Sequence, residues 1–191
     1  MTHVSVIGAG NMAQAISALV RKGGGSAELF TRDDADKALS GDVVVLAVPY
    51  PAVRQVLNER AGQFDGKTVI DITNPVDFET FDGLDVPADS SATAQIAAAL
   101  PNAHVVKAFN TTFASTLTSG SVGADTTTVV IAGDNDDAKS VVADIVTGGG
   151  LKAIDAGGVK RARELEAIGF LQITLAAAEK ISWTGGFNLS R

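Results

Sequence analysis

The segment from Val4 to Ile16, VSVIGAGNMAQAI, predicts a short strand, a glycine turn and the first turns of a helix. Within it, GAGNMA fits the pattern Gly-x-Gly-x-x-Ala. In such a turn the first glycine permits a sharp bend, the second leaves room for a pyrophosphate, and the alanine lets the helix pack against the strand. Gly8, Gly10 and Ala13 hold these positions, and the helix N-terminus offers free N–H groups to a phosphate. We interpret the segment as a dinucleotide-binding turn, with a plain strand-to-helix turn as the alternative.

The remaining chain alternates apolar, strand-like runs with helical stretches. The runs are rich in Val and Ile and do not alternate with polar residues, which is typical of parallel strands covered on both faces. The predicted strands are HVSVIG, AELFT, DVVVLAV, KTVIDI, AHVVKAF, TTTVVIAG and LKAIDA, and the predicted helices span 11–22, 51–61, 93–100, 135–147 and 159–182. Only RDDADKALSG separates the second and third strands, which leaves room for two helical turns at most.

This order predicts an α/β fold, a Rossmann-type, doubly wound and mostly parallel sheet with a long C-terminal helix. The length of 191 residues and an apolar fraction of 46% suit one domain with a sizeable core. We therefore expect a single NAD(P)-binding domain over residues 1–191, with 159–191 as a C-terminal helical extension.

Composition excludes several classes of function. The net charge of -7 argues against nucleic-acid binding, and the absence of cysteine excludes disulfides, thiolate nucleophiles and Cys-ligated metals. No zinc-type spacing of His and Glu is present, so we expect no metal site. The apolar runs are too short to cross a bilayer, and the N-terminus lacks the basic start of a signal peptide. A cytoplasmic protein without a membrane partner is the expectation.

The end of the second strand indicates which dinucleotide binds. NAD sites carry an acidic residue there, whereas this strand ends in Thr31 and Arg32. A hydroxyl and a guanidinium suit the 2′-phosphate of NADP. Asp33 and Asp34 follow and weaken this signal, although both could face solvent on the short helix. NADP is the predicted cofactor, with a plain surface arginine as the alternative.

The ends of the later strands are also unusual, and ligands of such sheets bind beyond the carboxyl ends of the strands. Pro, Asn and Thr also form ordinary turns, but three such ends at one sheet edge favour a nicotinamide pocket. The residues concerned are Val48, Pro49 and Tyr50 after the third strand, Asn74 and Pro75 after the fourth, and Phe109, Asn110 and Thr111 after the fifth.

No catalytic residue can be named from the sequence. His3 and His104 each precede a strand, at the edge opposite the predicted site, and no Ser-His-Asp order or P-loop is present. A ketone reductase needs a proton donor. Hydride transfer to a second cofactor does not need one, because the cofactor ring itself accommodates the charge.

Several stretches together resemble one family. They are IGAGNMAQAI, TR after the second strand, AVPYPAV, VIDITNP, VVKAFNTTFA, DAGGVKRARELEAIGF and the terminal WTGGFNL. On these the chain resembles the NADP oxidoreductases that depend on the deazaflavin coenzyme F420, and their bacterial dinucleotide-binding relatives of unassigned substrate. The resemblance covers nearly the whole chain.

The resemblance implies an enzyme that passes a hydride between NADPH and a second cofactor or small acceptor, a deazaflavin or a flavin. The residues it implies for NADP are Gly8, Gly10, Asn11, Met12, Thr31 and Arg32. The strand ends would line the nicotinamide, and the corner Phe109–Asn110–Thr111 would also face the acceptor. The alternative is a non-catalytic NADPH-binding sensor or regulatory protein.

The apolar pattern of the C-terminal helix predicts that the protein forms a dimer. The run AIGFLQITLAAA, residues 167–178, is apolar nearly all round, whereas a helix lying on one sheet face needs a single apolar stripe. We expect one stripe on the sheet and the other against a partner chain in a two-fold homodimer. The first stripe is Leu165, Ile168, Leu171 and Leu175, and the second is Phe170, Ile173 and Ala177. Alternatively, the terminal segment with Trp183 and Phe187 folds back over the second stripe.

Overall fold

A computed structural model describes residues 2–189. Met1, Ser190 and Arg191 belong to the predicted domain 1–191, and the last two to the predicted extension 159–191, but all three lie outside the described residues. The strands are β1 (His3–Ile7), β2 (Ser26–Phe30), β3 (Val43–Leu46), β4 (Thr68–Asp71), β5 (His104–Lys107), β6 (Ser121–Val122), β7 (Asp125–Thr126), β8 (Thr128–Gly133) and β9 (Lys152–Asp155). The α-helices are α1 (Asn11–Lys22), α2 (Tyr50–Glu59), α3 (Ala92–Ala99), α4 (Ala114–Ser119), α5 (Asp136–Gly148) and α6 (Ala162–Ala177).

In this part of the chain seven strands form one sheet in the order β2-β1-β3-β4-β5-β8-β9. Strands β1 to β5 are mutually parallel, β8 runs antiparallel to β5, and β9 is parallel to β8. The predicted α/β class, with a mostly parallel Rossmann-type sheet and a long C-terminal helix, is confirmed. The reversal at β8 places the whole connection after β5, including α4, at the carboxyl edge of the parallel strands. This helix was not predicted, because its six residues carry too little periodicity.

The central strands are covered on both faces, as the absence of alternation predicted. All four residues of β3 are at most 2% exposed. On one face α1, α4 and α5 pack against the sheet, and on the other α2 and α3 do so. The division into one domain with a helical extension stays a prediction.

The connection between β2 and β3 contains no α-helix. A single 3-10 turn, Arg32–Asp34, follows β2, and irregular chain leads on to β3. This agrees with the predicted short crossover. None of the helices between residues 2 and 189 is both long and apolar enough to cross a bilayer.

The predicted inner stripe of α6 is confirmed at Leu165, which is buried, and wrong at two of its other positions. Ile168 and Leu171 are 41% and 49% exposed, so they face outward. The buried face is instead partly polar, because it contacts the hydrogen-bonding strand ends rather than an apolar sheet face. It consists of Ala162, Leu165, Glu166, Gly169, Gln172 and Ala176.

The helix also ends at Ala177, five residues before the predicted bound, where Glu179 adopts a φ of 58°. The segment after it folds back. Gln172 Oε1 accepts from the Phe187 N–H at 2.7 Å, and the Trp183 ring lies 4.9 Å from that of Phe113. The terminal segment therefore folds back, as the alternative expected, but it contacts Gln172 and Phe113 and leaves Ala177 of the second stripe exposed.

Candidate functional site

The glycine turn between β1 and α1 contains two glycines that the protein needs for different reasons. Gly8 has a φ of 127°, and a Cβ there would lie 2.2 Å from Ala47 O, so the packing of the protein itself requires glycine. Gly10 has an ordinary φ of −72°, and a Cβ there would meet nothing within 4 Å. The open space beside Gly10 is therefore free for a ligand.

The N-terminus of α1 begins at this open space. Gly10 is the N-cap residue, and no side chain caps the helix. Its first turn holds no acidic residue. The first N–H groups of an α-helix have no partner inside the helix and form the positive end of its dipole. The turn can therefore bind a phosphate, and the residues present fit a pyrophosphate.

A first cavity, which we call the glycine-turn cavity, opens on one side of this turn. Its volume is about 340 Å³. Its wall is formed by Ile7, Gly8, Ala9, Gly10, Phe30, Thr31, Arg32, Ala35, Ala47, Val48, Pro49, Ala52, Gln55, Val56, Glu59 and Arg60. The structure thus brings the predicted Thr31, Arg32, Val48 and Pro49 to one cavity. Arg32 is exposed there and has no ion-pair partner within residues 2–189.

Thr31 does not offer its hydroxyl hydrogen to this cavity. Both its backbone N–H and its hydroxyl donate to Asp34 Oδ2, each at 2.8 Å. Asp34 also pairs with Lys37 at 2.5 Å, and these hydrogen bonds, Lys37 first and Thr31 next, hold the pKa of Asp34 well below its usual range. The Asp34 side chain is only 17% exposed, so the interpretation that it could face solvent is not confirmed. Arg32 is consequently the predicted residue that retains donors for a 2′-phosphate.

A second cavity, which we call the asparagine cavity, opens on the other side of the α1 N-terminus. Its volume is about 470 Å³. The residues around it are Asn11, Met12, Ile72, Asn74, Phe78, Phe109, Asn110, Thr112, Phe113, Ala114, Ser115, Ile173, Trp183 and Thr184. None of these described lining residues is titratable. The α1 N-terminus therefore separates a cavity with basic residues from one that is apolar, aromatic and amide-lined.

Two amides from neighbouring strand ends define the second cavity. Asn110 Nδ2 donates to Asn74 Oδ1 at 2.9 Å and to Leu165 O at 2.8 Å, and Asn74 Nδ2 donates to Asn110 O at 2.8 Å. Both Nδ2 hydrogens of Asn110 are thus used, and its buried Oδ1 has no partner among the described residues. Phe109, the residue before Asn110, is fully buried and has a φ of 63°. This left-handed conformation costs a non-glycine residue about 1–3 kcal/mol. The surrounding contacts hold this strained corner and set the amide orientation.

A buried ion network lies behind this pair. Lys107 is fully buried at the end of β5, and its Nζ donates to Asp71 Oδ2 and Glu166 Oε1, each at 2.9 Å, and to Thr73 O at 2.6 Å. The N–H of Ala92 at the start of α3 also donates to Glu166, at 2.9 Å. All three hydrogens of Lys107 are used, so this ammonium group supports the cavity wall rather than the chemistry inside it. Lys107 lies within the predicted fifth strand AHVVKAF, but neither carboxylate was among the predicted site residues.

Four of the predicted residues line neither cavity: Ala13, Tyr50, Pro75 and Thr111. Ala13 is fully buried in the core on α1. Tyr50 faces α3, where its hydroxyl donates to Gln95 Oε1 at 2.9 Å, and burial followed by nearby carboxylates raises its pKa. Pro75 is buried behind the cavity wall, and Thr111 accepts from Gln172 Nε2 at 3.3 Å. The neighbouring Thr112 takes the place at the cavity that was expected for Thr111.

Sequence reasoning also missed part of the asparagine cavity wall. Phe113 and Ser115 lie just beyond the predicted corner, and Trp183 closes over them through a ring contact and a hydrogen bond from Ser115 Oγ to its backbone oxygen. The quoted stretches VVKAFNTTFA and WTGGFNL contain Phe113 and Trp183, but a contact between residues 70 positions apart has no local signal.

The fold and this site define a Rossmann-type α/β protein of the dinucleotide-binding class, with an apolar, amide-lined cavity beside its glycine turn. The profile of the family described as "NADP oxidoreductase coenzyme F420-dependent" matches residues 25–75. The F420-dependent NADP reductase of Methanothermobacter marburgensis is 31% identical, over 94% of this chain and 84% of that protein. The F420-dependent NADP reductase of Methanothermobacter thermautotrophicus is 34% identical, over 78% of this chain and 67% of that protein.

Solved structures agree with this similarity. A structure from Arthrobacter sp. FB24, described as a candidate F420-dependent NADP reductase, superposes with a TM-score of 0.87 at 25% identity over the whole of both chains. The chain belongs to the family of F420-dependent NADP reductases, and it is thus a member of a family of NADP-dependent oxidoreductases.

Proposed function

We propose that this protein transfers a hydride between NADPH and a deazaflavin, with a flavin as the next candidate acceptor. The observation that carries the proposal is the pair of cavities that flank the uncapped N-terminus of α1. A dinucleotide laid across that N-terminus would extend one half into each cavity. The names of the similar proteins support NADP as the dinucleotide and F420 as its redox partner.

The residues that would hold NADP follow from the two cavities. The N–H groups beyond Gly10 would bind the pyrophosphate, and Arg32 would face the 2′-phosphate in the glycine-turn cavity. Val48 and Pro49 would line the path of the dinucleotide. Bound NADPH would supply the hydride, and the chain positions the ring that carries it.

The asparagine cavity suits the reaction because it lacks acids and bases. Direct transfer of a hydride between two rings needs proximity, alignment and the exclusion of water, but no proton donor from the protein. Phe113 and Trp183 supply an aromatic wall that would exclude water from the rings. Asn110 lines the cavity, and its Oδ1 is a buried acceptor without a partner among the described residues. A turn of this side chain toward the cavity would offer that oxygen to an N–H of the nicotinamide amide or of the acceptor ring.

Absorbance at the NADPH band tests the proposal directly. The purified protein is mixed with NADPH and, in separate reactions, with a deazaflavin, a flavin, a quinone and a ferric chelate. We expect turnover with the deazaflavin, and turnover with the flavin alone would move the acceptor assignment to flavin. NADPH binding without turnover on any acceptor would instead favour a sensor or regulatory protein.

We further propose that the protein is a homodimer and that it acts in the cytoplasm. The outward face of α6 exposes Ile168 and Leu171, which supports burial of this face against a second copy. The predicted second stripe is not the expected interface, because Ile173 already contributes to the asparagine cavity. Light scattering at micromolar concentration should give twice the mass of one chain, and a monomer would remove the dimer from the proposal.

A further inference from the structure

Arg60 is a buried cation that the NADP motifs do not include. It follows the last residue of α2 and is only 3% exposed, yet within residues 2–189 it makes no ion pair with a carboxylate. Burying a charged group is costly unless its hydrogen-bonding groups find partners. Arg60 makes other contacts in place of an ion pair, and these contacts indicate its role in the protein.

The guanidinium joins two carbonyl groups of one short segment. Nη1 donates to Lys37 O at 2.7 Å, and Nη2 donates to Asp34 O at 2.6 Å. Its central carbon also lies 5.2 Å from the centre of the Phe30 ring, at the end of β2. A planar guanidinium can stack on a ring while its two terminal nitrogens donate in different directions, whereas a lysine has a single nitrogen and no plane to stack.

The segment that Arg60 holds is the crossover without an α-helix. Residues 31–38 are largely exposed, and their internal contacts centre on the Asp34 side chain, which binds Thr31 and Lys37. Arg32 is the first residue of the 3-10 turn in this segment. Arg60 and Arg32 also line the same glycine-turn cavity. Arg60 thus binds the backbone of the turn that contains Arg32.

We propose that Arg60 is a positioning residue for cofactor specificity, which sets the preference for NADPH over NADH by holding the turn that carries Arg32. NADH has no 2′-phosphate, so its affinity depends little on where Arg32 lies. The proposal rests on the proposed function only in that the glycine-turn cavity holds the adenosine end of NADP.

Dissociation constants for NADPH and NADH test the proposal at one fixed salt concentration. The variants are Arg60→Lys, Arg32→Ala and the double variant, and Arg54→Lys is the matched control because Arg54 is an exposed arginine of α2 outside this cavity. We expect Arg60→Lys to lower the preference for NADPH by about tenfold, comparable to the loss of one charge-assisted hydrogen bond. Arg54→Lys should leave it unchanged.

The double variant separates a positioning role from an independent one. If Arg60 acts through Arg32, then Arg60→Lys should have no further effect on the NADPH/NADH ratio in the Arg32→Ala background. Additive losses would overturn the proposal, as would equal weakening of both nucleotides or an unchanged ratio in Arg60→Lys.

Two controls keep the outcomes distinct. NADH binding reports that the variant is folded, and Arg60→Gln replaces Arg60→Lys if the lysine variant fails to fold. A wild-type protein without preference for NADPH would contradict the NADP assignment itself. A wild-type preference that survives in the Arg60 variants would overturn only the role of Arg60.

Discussion

The two cavities beside the α1 N-terminus are assembled in different ways. The glycine-turn cavity takes its motif from a strand, a turn and a helix that follow one another directly in the chain. Its other walls come from the ends of β2 and β3 and from α2 with the following Arg60. The asparagine cavity depends on contacts between distant residues. Asn74 and Asn110 are 36 positions apart, Asn110 and Leu165 are 55 apart, and Ser115 and Trp183 are 68 apart.

This difference predicts how each region responds to mutation. A substitution in the glycine turn should weaken ligand binding. It should leave the fold intact at positions where the new side chain meets no other protein atom. A change behind the asparagine cavity should affect stability as well, because the same side chains join β4, β5 and α6. Four substitutions test this contrast, from the largest expected effect to the smallest.

Lys107→Met should have the largest effect. It leaves Asp71 and Glu166 buried without their cation, and removing one partner of a buried ion pair costs about 3–5 kcal/mol. Urea unfolding measures the resulting loss in the free energy of unfolding. The matched control is Lys139→Met, whose partners Asp136 and Asp155 are 93% and 55% exposed, so a loss of about 1 kcal/mol or less is expected there. Equal losses in the two variants would contradict a special role for the buried network.

Gly10→Val should abolish most NADPH binding without unfolding the protein. A Cβ at this position meets no protein atom within 4 Å, so the added side chain starts in the open space proposed for the pyrophosphate. We expect the NADPH dissociation constant to rise about a hundredfold, as for the loss of two charge-assisted hydrogen bonds. Gly83→Val is the control, since a Cβ at Gly83 also meets open space. Normal NADPH binding by Gly10→Val would show that the turn is only structural.

Asn110→Asp should separate binding from turnover. The carboxylate would place oxygen where Nδ2 now donates to Asn74 and Leu165, so two favourable contacts become repulsive. We expect kcat with the deazaflavin to fall about thirtyfold, equivalent to roughly 2 kcal/mol. The NADPH dissociation constant should change by less than about threefold, because the adenosine half binds elsewhere. Asn58→Asp, on the exposed face of α2, serves as the control, and a parallel loss of NADPH affinity in Asn110→Asp would argue against two separable cavities.

Arg32→Ala should have the smallest effect, confined to the choice of nucleotide. A charge-assisted hydrogen bond is worth roughly 1.5–3 kcal/mol, and the lower end applies because Arg32 is exposed. The NADPH/NADH affinity ratio should therefore fall by about tenfold, with NADH binding nearly unchanged. An unaltered ratio, measured at one salt concentration, would make Arg32 a solvated surface residue and remove the main support for NADP.

Local chemistry explains why part of the site was predictable. Gly8 must be glycine because of its φ and the nearby Ala47 oxygen, and Gly10 sits where a helix begins without a cap. These requirements involve neighbours in the chain or the next strand, so a sequence pattern contains them. The strand and helix order likewise predicted the parallel sheet and the edge at which Asn74 and Asn110 meet.

The apolar pattern of α6 did not predict which face is buried, because the buried face of this helix is partly polar. The inward face of α6 contains Glu166, Gly169 and Gln172, whose partners are Lys107, Asn74 and the terminal segment, so counting apolar positions selected the outward Ile168 and Leu171 instead. An apolar stripe predicts the buried face of a helix only when the surface beneath it is also apolar.

The sequence by itself determined the strand-turn-helix unit, the mostly parallel sheet and the edge that holds the site, because each follows from backbone geometry and short-range patterns. Only the tertiary structure decided which side chains complete the site. Arg60 reaches the crossover from the end of α2, and Trp183 reaches Phe113 from beyond α6. Such contacts join residues that the chain separates by tens of positions, and only the packed arrangement of the helices on the sheet brings them within bonding distance.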